Sequence, residues 1–115
     1  MKKVIAVNTR ILVSNKLEGI GNFTTEIFKR LVEWNPDYEF HFIFNYPYDE
    51  AFIFGDNVIP HIIQPPARHP ILVKIWYDFS LKIKLKQINP DIFISPDAIT
   101  SLTTAVKTIT VIHDL

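Results

Sequence analysis

The order of apolar and polar positions along the chain predicts strands that alternate with helices. Residues 4–7 form a short apolar run rich in β-branched side chains, typical of a parallel strand that is covered on both faces. Residues 39–44 carry phenylalanine at alternate positions and predict a second strand. Residues 91–95 and 107–112 show two further buried-strand patterns, separated by a Ser/Thr-rich stretch.

Residues 57–64 give the weakest strand pattern. They carry several β-branched side chains, but Pro60 interrupts them and has no amide hydrogen to donate to a neighbouring strand. This segment is therefore predicted to be an edge strand or to contain a bulge.

Two helices are predicted between these strands. The first has apolar residues at helical spacing and stops at Asn35-Pro36; its predicted inner face consists of Phe23, Ile27, Leu31 and Trp34. The second is longer and ends at Asn89-Pro90, with a predicted face of Leu72, Ile75, Trp76, Phe79 and Ile83. A second apolar set on that helix, Leu81, Leu85 and Ile88, indicates burial on two sides.

Strands that alternate with helices imply right-handed crossovers and a parallel sheet. The predicted fold class is therefore α/β, a Rossmann-like doubly wound sheet with helices on both faces. No linker or internal repeat interrupts the 115 residues, so residues 1–115 are expected to form one domain.

Composition narrows the function classes. The formal net charge is +0, so no overall positive field attracts nucleic acid. The sequence contains no cysteine, which excludes disulfides, thiolate nucleophiles and cysteine-rich zinc sites. The apolar run near the N-terminus is too short for a signal-peptide core or a membrane span, and we expect a cytoplasmic location.

In open parallel sheets, ligands bind beyond the carboxyl ends of the strands, so the residues just after the apolar runs are the expected site residues. They are residues 8–21, 45–48, 95–100 and 113–114, which should meet along one edge of the sheet. Gly19-Ile20-Gly21 lies there, at the start of the first helix, where unpaired amides and the positive end of the helix dipole favour a phosphate group. We interpret it as a glycine loop; an ordinary turn explains the same residues. The spacing does not fit a dinucleotide-binding fingerprint, and no Walker motif occurs.

Polar residues also follow the last two strands. His113 and Asp114 come directly after the final apolar run, where an imidazole can hydrogen-bond a sugar hydroxyl or carry a proton. Asp97 could accept a hydrogen bond from a polyhydroxylated ligand, or cap the segment that follows it. The other histidines, His41, His61 and His69, show no metal-ligand spacing with His113 and are assigned to surface or packing roles. No metal site and no cofactor are predicted.

The second helix mixes basic and aromatic residues. Its lysines are Lys74, Lys82, Lys84 and Lys86, and its aromatic residues are Trp76, Tyr77 and Phe79. This composition would suit a helix that lies on an anionic membrane surface. Packing of a buried stripe with lysines that extend around it explains the same residues.

Three short motifs together resemble the N-terminal half of glycosyltransferase family 4. They are residues 19–24 (Gly-Ile-Gly-Asn-Phe-Thr), residues 90–96 (Pro-Asp-Ile-Phe-Ile-Ser-Pro) and residues 110–115 (Thr-Val-Ile-His-Asp-Leu). Their order and spacing match, and the resemblance covers nearly the whole chain. It implies a GT-B fold, in which two Rossmann-like domains face each other across a cleft.

The resemblance also implies an activity. A retaining glycosyltransferase would move a sugar from a nucleotide-sugar, a co-substrate, to a saccharide or lipid-linked acceptor in glycan or envelope synthesis, without a bound metal. The loop of Gly19, Ile20, Gly21 and Asn22 would approach the donor diphosphate, and His113 would touch the transferred sugar. Asn22 replaces the basic residue often found after the glycines.

The family's second domain, which binds most of the nucleotide-sugar, is not present in this chain. The resemblance therefore implies a truncated acceptor-side domain that is inactive alone and whose unfinished sheet edge promotes self-association. Two alternatives remain open: a flavodoxin-like or receiver-like binding module without enzymatic activity, and half of a sugar-nucleotide epimerase.

Overall fold

Five parallel strands form one sheet in the computed structural model, which describes residues 2–10, 12, 19–45, 47–63, 70–95 and 108–110. The strands are β1 (Val4–Asn8), β2 (Glu39–Phe44), β3 (Val58–Ile62), β4 (Ile92–Ser95) and β5 (Thr108–Thr110). Their order is β3-β2-β1-β4-β5, which confirms the predicted α/β class with a Rossmann-like parallel sheet. The order differs from the flavodoxin-like order 2-1-3-4-5, a difference that concerns the fold and not the activity.

Helix α1 (Gly19–Trp34) covers one face of the sheet, but with a different side from the one predicted. Its buried residues are Gly21, Thr24, Phe28 and Val32, whereas Phe23, Ile27 and Trp34 are exposed. The predicted inner face is therefore wrong, apart from Leu31, which packs partly against the core. Two of its four buried residues, Gly21 and Thr24, are small, and a search for large apolar side chains misses them.

The second predicted helix is present as three continuous segments. They are α2 (Pro70–Ile75), a π-helical turn (Trp76–Ser80) and α3 (Leu81–Ile88). The helix ends at Asn89, which has a left-handed conformation with φ 51°, so the stop predicted at Asn89-Pro90 is confirmed.

The π turn explains why the predicted core face of this helix is mostly wrong. In it the amide of Leu81 donates to the carbonyl of Trp76, five residues earlier, rather than four as in an α-helix. The extra residue brings Trp76 to the side of the helix that carries Leu81 and Leu85, and all three are buried. Phe79 and Ile83, predicted to share a face with Trp76, are exposed instead.

The sheet separates two hydrophobic clusters. On the α1 side, Phe28 and Val32 pack against the inward residues of β1 and β2, including Phe40, Phe42 and Phe44. Phe52, from a short 3-10 turn (Glu50–Phe52), joins this cluster. On the other side, Trp76, Leu81 and Leu85 pack against a second cluster that includes Ala6, Ile43 and Phe93. Helices therefore cover both faces, as predicted.

Asn57 fixes the direction of α1 relative to the sheet. Its side-chain amide lies 3.4, 3.1 and 3.1 Å from the carbonyl oxygens of Val32, Asn35 and Tyr38. These carbonyls belong to the end of α1 and the turn before β2, while Asn57 immediately precedes β3. Because the end of α1 lies at the amino edge of the sheet, its first turn lies at the carboxyl edge.

Strand β3 forms one edge of the sheet, as Pro60 predicted. The amide of Phe40 donates to Asn57 O and the amide of Ile63 donates to Phe44 O, so the odd-numbered positions of this segment bond to β2. Pro60 is at an even-numbered position and points its backbone away from β2. The sheet therefore loses no hydrogen bond to the proline.

Candidate functional site

The strand order reverses between β1 and β4, which is where open sheets of this type form a ligand-binding crevice. From β1 the chain continues through α1 to β2 on one side, and β4 returns to the opposite side of β1. In sheets of this type, ligands bind at the carboxyl ends of the two strands between which the order reverses. Here those ends carry Asn8 on β1 and Ser95 on β4.

Asn8 and Ser95 form a fixed polar floor for this crevice. The Nδ2 group of Asn8 donates to Ser95 Oγ at 3.3 Å, and both side chains are buried. The Oδ1 atom of Asn8 accepts the backbone amide of Arg10 at 3.2 Å. Because both ends of the Asn8 amide are engaged, its orientation is set before any ligand binds.

The first turn of α1 approaches the same edge of the sheet. Gly19, Ile20 and Gly21 lie within the helix, and no described glycine has a positive φ, so the predicted glycine loop is wrong. The helix start itself is where the sequence predicted it. The first amides of any helix have no partner within the helix, and the first turn of α1 contains no acidic residue.

Gly21 is buried, whereas Asn22 is exposed on the first turn. Asn22 can therefore present its side-chain amide to a bound group, and Gly21 cannot reach one with a side chain. A diphosphate at this position would meet backbone N–H groups rather than a basic side chain.

Asn45 adds a buried side-chain oxygen that accepts no hydrogen bond from the described residues. It directly follows β2 and is 1% exposed, and within the described residues its Oδ1 atom has no hydrogen-bond partner. The adjacent end of β1 is held in place, since the backbone amide and hydroxyl of Thr9 both donate to Ile43 O, at 3.0 and 3.1 Å. A buried carbonyl oxygen without a donor costs free energy, which a ligand hydroxyl could recover.

The structure locates some of the predicted site residues and leaves others outside its description. Gly19, Ile20, Gly21 and Asn22 lie together in the first turn of α1. His113, Asp97 and Asp114 lie outside the described residues, and their roles stay predictions. Asn8, Asn45 and Ser95 each begin one of the segments that were expected at the carboxyl edge because they follow apolar runs, although none of the three was given a role of its own.

A second polar group lies under α3, away from the crevice. His41 Nε2 is 2.6 Å from Glu39 Oε1, and His41 Nδ1 is 2.7 Å from His61 Nε2. Burial lowers the pKa of His61 to about 4, with further lowering by His41 and Lys84. His61 is therefore neutral at physiological pH, and the chain of three side chains links β2 to the edge strand β3.

No cluster of three or more His, Cys, Asp or Glu side chains suited to a metal ion occurs in the described ranges. The assignment of His41 and His61 to packing roles is consistent with their contacts, although the sequence did not predict that they bond to each other.

Comparisons with family models, with curated proteins and with solved structures give no significant match to this chain.

Proposed function

We propose that this chain is the acceptor-side domain of a retaining glycosyltransferase that resembles family 4. The full enzyme would move a sugar from a nucleotide-sugar donor to a saccharide or lipid-linked acceptor. The observation that carries the proposal is the position of the α1 first turn, Gly19 to Asn22, at the carboxyl edge that also holds Asn8, Ser95 and Asn45. The three sequence motifs support it independently.

The chemistry follows from this arrangement. In glycosyl transfer the bond between the sugar C1 atom and the diphosphate oxygen breaks, and negative charge develops on the departing diphosphate. The N-terminal amides of α1 would stabilise that charge without a metal ion. The acceptor hydroxyl forms the new bond to C1 and passes its proton to the departing diphosphate oxygen, and His113, by the family resemblance, would contact the transferred sugar.

Asn45 would serve the acceptor in this scheme. Its Oδ1 atom is buried without a donor among the described residues, and a sugar hydroxyl is a donor of suitable size. Asn8 and Ser95 would not need to move, since they already bond to each other. The half-epimerase alternative uses the same fold and would also bind a nucleotide-sugar, but it does not need a hydroxyl-accepting site for a second substrate.

The proposal is tested by titrating the isotope-labelled chain with a nucleoside diphosphate and following backbone amides by NMR. We expect shifts at Gly19 to Asn22, and we expect Asn22→Asp to weaken the binding several-fold because it places a like charge beside the diphosphate. The same substitution should stabilise α1 by about 0.3–1 kcal/mol through the helix dipole. Its effects on binding and on stability therefore have opposite signs.

Gln87→Glu is the matched control, because Gln87 is also exposed on a helix and the substitution adds the same charge far from the crevice. It should leave the affinity unchanged. The absence of amide shifts at Gly19 to Asn22, or an equal loss of affinity in both variants, would remove the support for a diphosphate site.

A further inference from the structure

The outward side of α2 and α3 exposes a continuous row of large apolar side chains. Its members follow each other at intervals of four residues through the π turn, and we call them the outer stripe: Ile71, Ile75, Phe79 and Ile83. Phe79 is 62% exposed and Ile83 is 59% exposed. Contiguous apolar patches that stay exposed on a protein surface often mark sites of contact with another protein or a membrane.

The outer stripe faces directly away from the core. Two residues along an α-helix correspond to a rotation of about 200°, so Ile83 points opposite to Leu81 and Leu85. Both leucines are fully buried against the sheet. The exposure of Ile83 is therefore a consequence of how α3 is seated, and a small rotation of the helix could not bury it.

Basic side chains accompany the outer stripe. Lys82, Lys84 and Lys86 alternate with the core and stripe residues of α3, and α3 has no acidic residue. By the helical period, Lys82 and Lys86 lie on one side of Ile83 and Lys84 lies on the other. Within the described residues neither Lys82 nor Lys86 forms an ion pair. Residues 70–88 contain four lysines and one aspartate, a formal charge of +3, in a chain whose net charge is +0.

We infer that the outer stripe and its lysines form a docking surface for an anionic lipid bilayer. The stripe would enter the boundary between headgroups and acyl chains, with α2 and α3 parallel to the membrane plane, and the lysine amines would reach the phosphates. No helix in the described part of the chain is long and apolar enough to cross a membrane. The contact is therefore with the surface of the bilayer.

The residues available for membrane contact in the structure differ from those that the sequence predicted. Trp76 is fully buried and donates its indole N–H to Ile63 O at 3.2 Å, so it cannot reach lipid. Ile83 takes its place on the exposed side. The two helices run along the sheet from the end of β3 toward the start of β4, so docking leaves the carboxyl edge open to the side.

Helix α1 provides an internal comparison. It also exposes apolar side chains, Phe23 at 42% and Ile27 at 40%, on the opposite face of the sheet. Its charged residues, however, balance: Glu26 pairs with Arg30 at 2.6 Å, and Lys29 and Glu33 offset each other. Apolar exposure without excess positive charge should not favour an anionic surface.

The inference is tested by co-sedimentation of the chain with phosphatidylcholine vesicles that contain phosphatidylglycerol, and with vesicles of phosphatidylcholine alone. We expect binding to the anionic vesicles that decreases with added salt. Lys82→Gln and Lys86→Gln should each weaken it about fivefold. The double variant Phe79→Ser/Ile83→Ser should weaken it at least about tenfold.

The matched control is Phe23→Ser/Ile27→Ser, which removes the same two side-chain types from α1 and should change binding by less than about twofold. Circular dichroism checks that each variant folds, and the lysine variants test the idea even if a serine variant does not fold. Equal binding to both kinds of vesicle, or an equal loss in the α1 control, would overturn the inference. The inference would also be overturned if the chain did not bind vesicles and sedimented as a dimer that Phe79→Ser/Ile83→Ser converts to a monomer.

Discussion

Replacing Trp76 with phenylalanine tests the register of the π turn most directly. Trp76 is fully buried, and its indole nitrogen donates to the carbonyl of Ile63 at the end of β3. Phenylalanine is smaller and has no donor, so the variant leaves both a cavity and an unpaired buried carbonyl. The same substitution at a tryptophan exposed on the helix surface would create neither a cavity nor an unpaired carbonyl.

The expected loss is large for a chain of this size. Leaving a buried carbonyl unpaired costs about 1–3 kcal/mol, and the unfilled volume adds to it, so we expect Trp76→Phe to destabilise the fold by about 2–4 kcal/mol. A small domain has a total stability of about 5–15 kcal/mol. Trp34 is 70% exposed, and Trp34→Phe should change stability by less than about 0.5 kcal/mol.

Urea denaturation followed by circular dichroism measures both variants. The chain has two tryptophans, so the fluorescence of Trp34→Phe reports Trp76 alone. We expect that signal to be blue-shifted and protected from iodide in the folded state, and to lose both properties on unfolding. Equal urea midpoints for the two variants, or free quenching of Trp76 by iodide, would refute the burial of Trp76 and with it the register of the π turn.

Two further predictions concern Asn45 and His61. Asn45→Leu should leave the free energy of unfolding unchanged or raise it by about 1 kcal/mol, because it removes a buried carbonyl oxygen that has no donor among the described residues. The same substitution should abolish the binding of methyl α-glucoside, measured by NMR. Full retention of that binding would exclude Asn45 from the acceptor site. The free energy of unfolding should fall as the pH drops from 6.5 toward 4, because His61 takes up a proton in the unfolded chain before it does so in the folded chain, where its pKa is about 4. Since solvent screens the half-buried ring, we expect this fall to be only about 1 kcal/mol. Denaturation across this range should show a smaller fall in His61→Gln, and identical profiles in the two proteins would contradict it.

The backbone order of the chain followed from its sequence to a large extent. Apolar runs located β1, β2, β4 and β5, and Pro60 marked β3 as an edge strand. The stops at Asn35-Pro36 and Asn89-Pro90 ended both helices because proline cannot continue the hydrogen-bond pattern. These signals are local, and each depends on one or two residues.

The helix faces and the individual contacts within the site could not be obtained in the same way. The buried row of helix α1 contains Gly21 and Thr24, which a search for large apolar side chains does not select. No side-chain pattern announces the π turn, since the spacing of Trp76 and Phe79 fits an ordinary α-helix equally well. The Asn8–Ser95 bond joins residues 87 positions apart, and only the strand order brings them together.

The position of Pro60 decides at which edge of the sheet a further strand can pair. Along the outer margin of β3, a proline occupies a position where an incoming strand would seek an amide donor. Addition of a further strand is therefore disfavoured beside β3 and is left to the other outer strand, β5 (Thr108–Thr110). A peptide designed to lengthen the sheet, or a split-reporter strand fused to a partner, should be designed to pair with β5.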